Sequence, residues 1–215
     1  MAERTFKDLR IDYGDQALRR ADLSPDPQTL FRSWLDQAID AGVREANAMA
    51  LATCDADGQP HCRVVLMKQL DASGFGFFTN KHSSKGEQLR VNNRAAATFW
   101  WVAPRPRQVR IEGVVRELPE ADAQAYFASR PKRAQLCGAA SPQSQIVENR
   151  AELEGIVDAL ADQVGDGSVP KPAHWGGYSL VPERVEFWQG REGRLHDRFQ
   201  FCLERGGWRI DRLAP

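Results

Sequence analysis

The sequence predicts an α+β chain whose centre is an antiparallel barrel or sandwich of about seven to eight short strands, with helices around it. Three observations carry that expectation. Strand-like runs follow one another closely and are joined by tight turns such as Asp55-Ala56-Asp57-Gly58 and Asp71-Ala72-Ser73-Gly74. The runs do not alternate regularly with helices, as a parallel sheet would require. Finally, neither GxGxxG after a strand nor GxxxxGK before Ser or Thr is present, so no Rossmann or P-loop nucleotide site is visible.

In chain order, the polar stretch to about Ser24 reads as a mobile N-terminal segment, and residues 25–215 read as a single domain. Asp26-Pro27 opens a helix as N-cap and first helical residue. Leu30, Phe31, Trp34, Leu35, Ala38 and Ile39 form its buried stripe, and Gly42 ends it. Strands follow over Ala48 to Thr53, Arg63 to Leu70 and Phe75 to Thr79. Ser84-x-x-Glu87 resembles a capping box opening a short helix to about Asn93. Ala95 to Val102 and Gln108 to Glu117 are further strands, separated by Ala103-Pro104-Arg105-Pro106. A helix starts at Pro119 and runs through Tyr126 and Phe127, and another covers Asn149 to Val164, with Leu153, Ile156, Val157 and Leu160 on one face. The chain closes with strands over Tyr178 to Val181, Val185 to Trp188, Leu195 to Leu203 and Trp208 to Leu213.

Composition narrows the function. The 215 residues carry 29 Lys and Arg against 29 Asp and Glu, so no bulk positive field attracts nucleic acid or an anionic membrane. The first twenty residues hold no continuous apolar run, and no segment reaches bilayer length, so a cytoplasmic protein is expected. Cys54, Cys62, Cys137 and Cys202 show no CxxC pairing and read as reduced thiols. His61, His82, His174 and His196 form no HExxH or Cys/His cluster, so no metal is expected. GxSxG is absent, which leaves a serine-hydrolase elbow without a candidate.

Four groups of residues could carry chemistry. If the chain is extended from Arg194 onward, Arg194, His196 and Arg198 share a face after Trp188, either as a solvated edge or as a strip that meets a flat anionic ligand. Arg63 and Lys68 flank the apolar Val64, Val65, Leu66 and Met67. Five residues apart, they fall on opposite faces of a regular strand, so one pocket could use both only through a bulge or where two subunits meet. Thr79 to Lys85 spans a strand-to-helix junction, where free N–H groups, hydroxyls and Lys85 can hold a phosphate or simply cap the helix. Tyr126 and Arg130 are four apart on their helix and share a face, with Gln143 and Ser144 beyond; Gln108 and Arg110 share a strand face. Together these dispersed cations and hydroxyls, without a metal site or nucleophile, suit phosphorylated planar molecules and a cofactor that carries the chemistry.

The stretches LRIDYG near residue 9, RVVLMK, FFTN, YFASRPK, the Gln-Ser pair, HWGG, EFWQG, RLHDRF and the terminal Asp211-Arg212-Leu213-Ala214-Pro215 stand in the order found in pyridoxine/pyridoxamine 5′-phosphate oxidases, which the chain closely resembles. The resemblance implies an FMN-binding split barrel, acting as a homodimer whose active sites are shared between subunits. It implies oxidation of pyridoxamine 5′-phosphate or pyridoxine 5′-phosphate to pyridoxal 5′-phosphate, by hydride transfer from C4′ to flavin N5, with O2 as the final acceptor and H2O2 as product.

Position by position, the resemblance assigns FMN to Arg63, Val64, Val65, Leu66, Met67, Lys68, Phe78, Thr79, Ser84, Lys85, Gln108, Gln143, Ser144, Trp188 and Arg198, with Phe78 acting through its backbone. It assigns the substrate to Arg10, Tyr13, Lys68, Tyr126, Arg130, Arg194 and His196, the last two as catalytic residues, and it has the stretch from Arg10 to Tyr13 closing over the substrate. Ser84 and Ala134 depart from the family pattern, standing where many relatives have an arginine and a serine at the two phosphates. Two other readings keep part of this set: a split-barrel flavin reductase with another substrate, and a non-catalytic carrier of FMN or pyridoxal phosphate. The first has no use for RLHDRF together with YFASRPK, and the second makes no peroxide.

Overall fold

The Asp26 carboxylate accepts hydrogen bonds from the backbone N–H groups of Gln28 and Thr29, so helix α1 (Pro27–Asp40) begins where the Asp-Pro pair places it. The computed structural model describes residues 12–215, among which are five helices and nine strands. After α1 come β1 (Ala48–Cys54), β2 (Pro60–Leu66), β3 (Gln69–Asp71), β4 (Gly74–Asn80), α2 (Ser84–Val91), β5 (Arg94–Trp101) and β6 (Arg107–Glu117). Then follow α3 (Glu120–Ser129), α4 (Lys132–Ala140), α5 (Arg150–Val164), β7 (Trp175–Gln189), β8 (Asp197–Glu204) and β9 (Gly207–Leu213). Among the described residues no helix is long and apolar enough to cross a membrane.

The strands pair in the order β2-β1-β5-β6-β7-β4-β3, with β8 on β7 and β9 on β8. The β3–β4, β4–β7, β7–β8 and β8–β9 pairs are antiparallel. The sequence suggests two strands around Pro182, but β7 is one strand of 15 residues. Its register with β4 ends at Leu180 and that with β8 starts at Arg184, so Pro182, which has no N–H to donate, falls between its two partners on that side.

By its contacts the chain divides into two compact units. The first comprises the described residues up to Met49, Ala97–Ile111 and Glu183–Pro215. Its core takes Leu30, Phe31, Trp34 and Ala38 from α1; Phe31 meets Phe99 at 4.8 Å between ring centroids, and Trp34 meets Phe187 edge-on at 5.1 Å. Ile39, assigned to the buried stripe from its spacing, is 54% exposed at the end of the helix. The stretch before α1 is tied to the loop after β7. Leu18 N–H donates to Asp197 at 2.9 Å, Gln189 Nε2 donates to the Gln16 carbonyl at 2.7 Å, and Glu192 N–H donates to the Gly14 carbonyl at 2.9 Å.

The second unit comprises Ala50–Ala96 and Glu112–Pro182. Phe75, Phe77 and Leu180 are buried in its sheet, and Ala123, Phe127, Leu136, Val157, Val169 and Trp175 form a helical core beside Phe78 and Tyr126. Helix α4 is not anticipated from the sequence. Helix α2 is capped by Ser83 rather than Ser84: the Ser83 hydroxyl accepts from Gly86 N–H, which makes Ser84 the first helical residue and leaves it exposed.

Candidate active site

Within the second unit lies a cavity of about 760 Å³, a size suited to a small ligand. Arg63, Val64, Val65, Leu66, Lys68, Phe78, Thr79, Ser84, Lys85, Tyr126, Arg130, Gln143 and Ser144 line it, all residues singled out in the sequence. Four cations therefore face one space, and among the described residues no Asp or Glu lines it.

Arg63 and Lys68 meet here without help from a second chain. Strand β2 ends at Leu66 and β3 starts at Gln69, so Lys68 is freed from the strand's two-residue alternation. Met67, assigned to the cofactor with its neighbours, is 7% exposed and does not line the cavity. Tyr126 and Arg130 also converge, though not as one helix face: α3 ends at Ser129, and Arg130 is its C-cap with extended backbone.

Neutral oxygens hold the buried Lys85. Its Nζ donates to Thr79 Oγ1 and Ser83 Oγ at 3.0 Å and to Gln143 Oε1 at 3.3 Å. Ser144 takes a left-handed φ of 73° in the turn that carries Gln143. Burial, reinforced by the nearby charge of Arg63, lowers the Lys85 pKa to about 8.

Opposite in character is an aromatic wall. Phe78 stacks on Tyr126 at 4.3 Å and on Trp175 at 5.5 Å, and the Arg130 guanidinium lies 5.3 Å from the Trp175 ring centre. Arg130 Nη1 is buried without a hydrogen-bond partner. A Cβ at Gly138 would lie 2.6 Å from that same nitrogen, so the guanidinium occupies the space a side chain there would fill. Asn80, Cys137, Gly138, Ser141 and Trp175 complete the lining without having been named as site residues. Pro131 followed by helix-forming Lys132 to Leu136 was the signal for α4, and HWGG the signal for Trp175.

The remaining assigned residues that the structure describes belong to the first unit and do not line this cavity. Trp188 lies 4.6 Å from His196 and 5.9 Å from Tyr13, centre to centre, and Tyr13 also packs on His196. Arg191 N–H donates to His196 Nδ1 at 3.1 Å, so the neutral ring carries its proton on Nε2; burial and the Arg194 charge lower the His196 pKa. The expectation that Arg194, His196 and Arg198 share one strand face fails. Arg194 ends a 3-10 turn with φ 65°, and β8 begins only at Asp197.

Arg198 is register partner to Trp188 and is matched by a buried carboxylate: Nε donates to Glu186 Oε1 at 2.9 Å and Nη2 to Oε2 at 3.1 Å. Arg110 joins the same carboxylate at 3.3 Å. Gln108 lies half-buried on β6. Arg10 lies outside the described residues.

A cavity with four cations and, among the described residues, no acid, with hydroxyl and amide groups around Lys85 and a cation nitrogen lacking a partner, has the donor set for phosphate anions. A phosphorylated flavin fits that chemistry.

Comparison with known proteins identifies the family. Residues 35–163 match the family model described as pyridoxamine 5′-phosphate oxidase, and residues 175–215 match the pyridoxine 5′-phosphate oxidase C-terminal dimerisation region. The pyridoxine/pyridoxamine 5′-phosphate oxidase 1 of Ralstonia nicotianae is 51% identical over 212 residues, covering 98% of this chain and 99% of the relative. The pyridoxine/pyridoxamine 5′-phosphate oxidase of Pseudomonas paraeruginosa is 47% identical over 213 residues, with the same coverage. Among solved structures, PhzG from Burkholderia lata, in complex with tetrahydrophenazine-1-carboxylic acid, is similar with a TM-score of 0.87 and 29% identity, over 94% of this chain and all of that one. An FMN-binding, pyridoxamine 5′-phosphate oxidase-related protein from Nostoc punctiforme shares the fold, with a TM-score of 0.70 and 16% identity over 90% of this chain. The architecture is thus the antiparallel split barrel expected from the sequence, and the chain belongs to the pyridoxamine 5′-phosphate oxidase family.

Proposed function

We propose that this chain is an FMN-dependent oxidase that converts pyridoxamine 5′-phosphate or pyridoxine 5′-phosphate to pyridoxal 5′-phosphate. The observation that carries the proposal is the cavity with four cations and no carboxylate, found in a chain about half identical to named pyridoxine/pyridoxamine 5′-phosphate oxidases. FMN, when bound, would supply the two-electron acceptor for oxidation at the substrate's C4′, with O2 as the final oxidant.

The chain's own residues bind and orient. Arg63, Lys85, Thr79, Ser84, Gln143 and Ser144 hold FMN with the backbone of Phe78, while Gln108, Trp188 and Arg198, which do not line this cavity, join the shared site from the second subunit. Lys68, Tyr126 and Arg130 grip the substrate phosphate; the otherwise unpartnered Arg130 Nη1 gains an acceptor there. His196, neutral and with Nδ1 already accepting from Arg191, offers Nε2–H as a donor, while Arg194 adds a fixed positive charge at the substrate's ring. With the amine substrate, water then hydrolyses the product imine to aldehyde and ammonia. The segment around Tyr13 closes over the substrate, and a homodimer with shared active sites completes the assembly, as the matched dimerisation region supports.

A second reading, an oxidase of another ring system, is favoured by the carboxylic acid bound to the PhzG neighbour. That compound carries a carboxylate in place of a phosphate, so preference for the phosphorylated substrate separates the two readings. The test is direct. The purified protein should be yellow, pyridoxamine 5′-phosphate should bleach it without oxygen, and air should restore the colour with peroxide. Unphosphorylated pyridoxine should react poorly. Arg194→Ala should lower turnover about a hundredfold or more with FMN still bound. A colourless protein, or one indifferent to the substrate phosphate, overturns the assignment.

A further inference from the structure

Arg63 reaches the cavity from β2, yet two of the side chains that fix its guanidinium do not line the cavity. Nη1 donates to the Leu51 carbonyl at 3.1 Å and to Thr53 Oγ1 at 2.6 Å, and Nη2 donates to Gln88 Oε1 at 3.0 Å. The Thr53 hydroxyl donates in turn to the same Gln88 oxygen at 2.6 Å. Thr53 is 1% exposed and Gln88 8%, so this clamp is interior structure rather than surface.

All three acceptors are neutral. A guanidinium drawn away from water is ordinarily matched by a carboxylate, because an uncompensated charge there is costly. The same chain does this with Arg198, matched by Glu186. A glutamate at position 88 would have nearly the same shape and would accept the same two hydrogen bonds, but the residue present is glutamine. The amide fixes the direction of Arg63 and leaves its charge whole for whatever enters the cavity.

We propose that Gln88, supported by Thr53, is a positioning residue that aims an unneutralised Arg63 and thereby makes the cavity select phosphorylated over unphosphorylated flavin. The inference rests on the reading of the cavity as the FMN site. The test measures binding of FMN and of riboflavin to the flavin-stripped full-length chain, by quenching of flavin fluorescence.

Gln88→Glu should weaken FMN about tenfold to a hundredfold, the worth of a charge-assisted hydrogen bond, and leave riboflavin nearly unchanged. Gln88→Leu and Thr53→Val keep the Arg63 charge but loosen its aim, and should weaken FMN by smaller factors, with riboflavin again spared. A role in packing alone would weaken both flavins together in all three variants, and that result overturns the proposal, as does an unchanged FMN-to-riboflavin ratio in Gln88→Glu. Should Gln88→Glu fail to fold, the ratios for Gln88→Leu and Thr53→Val decide in the same way. If the unaltered chain itself fails to prefer FMN, the cofactor reading falls first, which separates the two failures.

Discussion

Lys85 is the residue whose protonation should be felt most in solution. Its pKa stands near 8 in the folded chain against the ordinary 10.5 of a lysine, because burial and Arg63 oppose its charge. Between those values the unfolded chain binds more protons than the folded one, so stability rises with pH. The cost of confining the ammonium is fully present below about pH 8 and is relieved progressively toward 10.5. Urea unfolding of the flavin-free chain should therefore show stability increasing from pH 8 to pH 10 relative to Lys85→Met, which lacks the titration. Anion binding runs the other way: FMN affinity should fall above about pH 8, and Lys85→Met should remove that inflexion. From the sequence, Lys85 beside hydroxyls at a strand-to-helix junction suits a phosphate or an ordinary helix cap alike, and only the family resemblance favours the first. Gln88 was not legible, since a lone glutamine on a short helix carries no sequence signal of the guanidinium it holds.

Among the elements, α4 shows most clearly what packing adds to pattern. Its run Lys132–Ala140 has only Leu136 buried, so the apolar stripe that reveals α1 is missing. The helix nonetheless brings Gly138 against Arg130 Nη1, at a distance that a methyl group could not share. Gly138→Ala should push that flexible guanidinium aside. We expect KM for pyridoxine 5′-phosphate to rise about tenfold, with the melting temperature nearly unchanged; steady-state kinetics beside thermal unfolding will check both. In α1 the stakes are different, because the Asp26 carboxylate satisfies two N–H groups of the first turn. Asp26→Ala should cost about 1 kcal/mol in denaturant unfolding and leave catalysis intact. The strand after Trp188 was misjudged for a local reason: Gly193 at φ 63° and Arg194 at φ 65° bend the chain before β8, and alternation cannot register a turn inside a charged run.

For the whole molecule, the β3–β4 and β8–β9 hairpins were legible from local turns, whereas the Arg63–Leu70 run divides into β2 and β3, and nine strands stand where about seven to eight were expected. The joining of two expected strands into β7 depends on what lies on either side of Pro182, and no local pattern contains that. Because the cavity's cations face no carboxylate, the entire fold should gain from an anionic guest. At a hundred times its dissociation constant, FMN should add about 2.7 kcal/mol to unfolding, and inorganic phosphate should produce a smaller shift that high chloride erodes. A melting curve indifferent to both would contradict it. The exposed Cys137 thiol, which opens onto the same space, has a practical consequence. It is a native handle for a maleimide or iodoacetamide, and its alkylation in the purified chain, read at Cys137 itself because Cys62 is exposed too, would slow as guests fill the space.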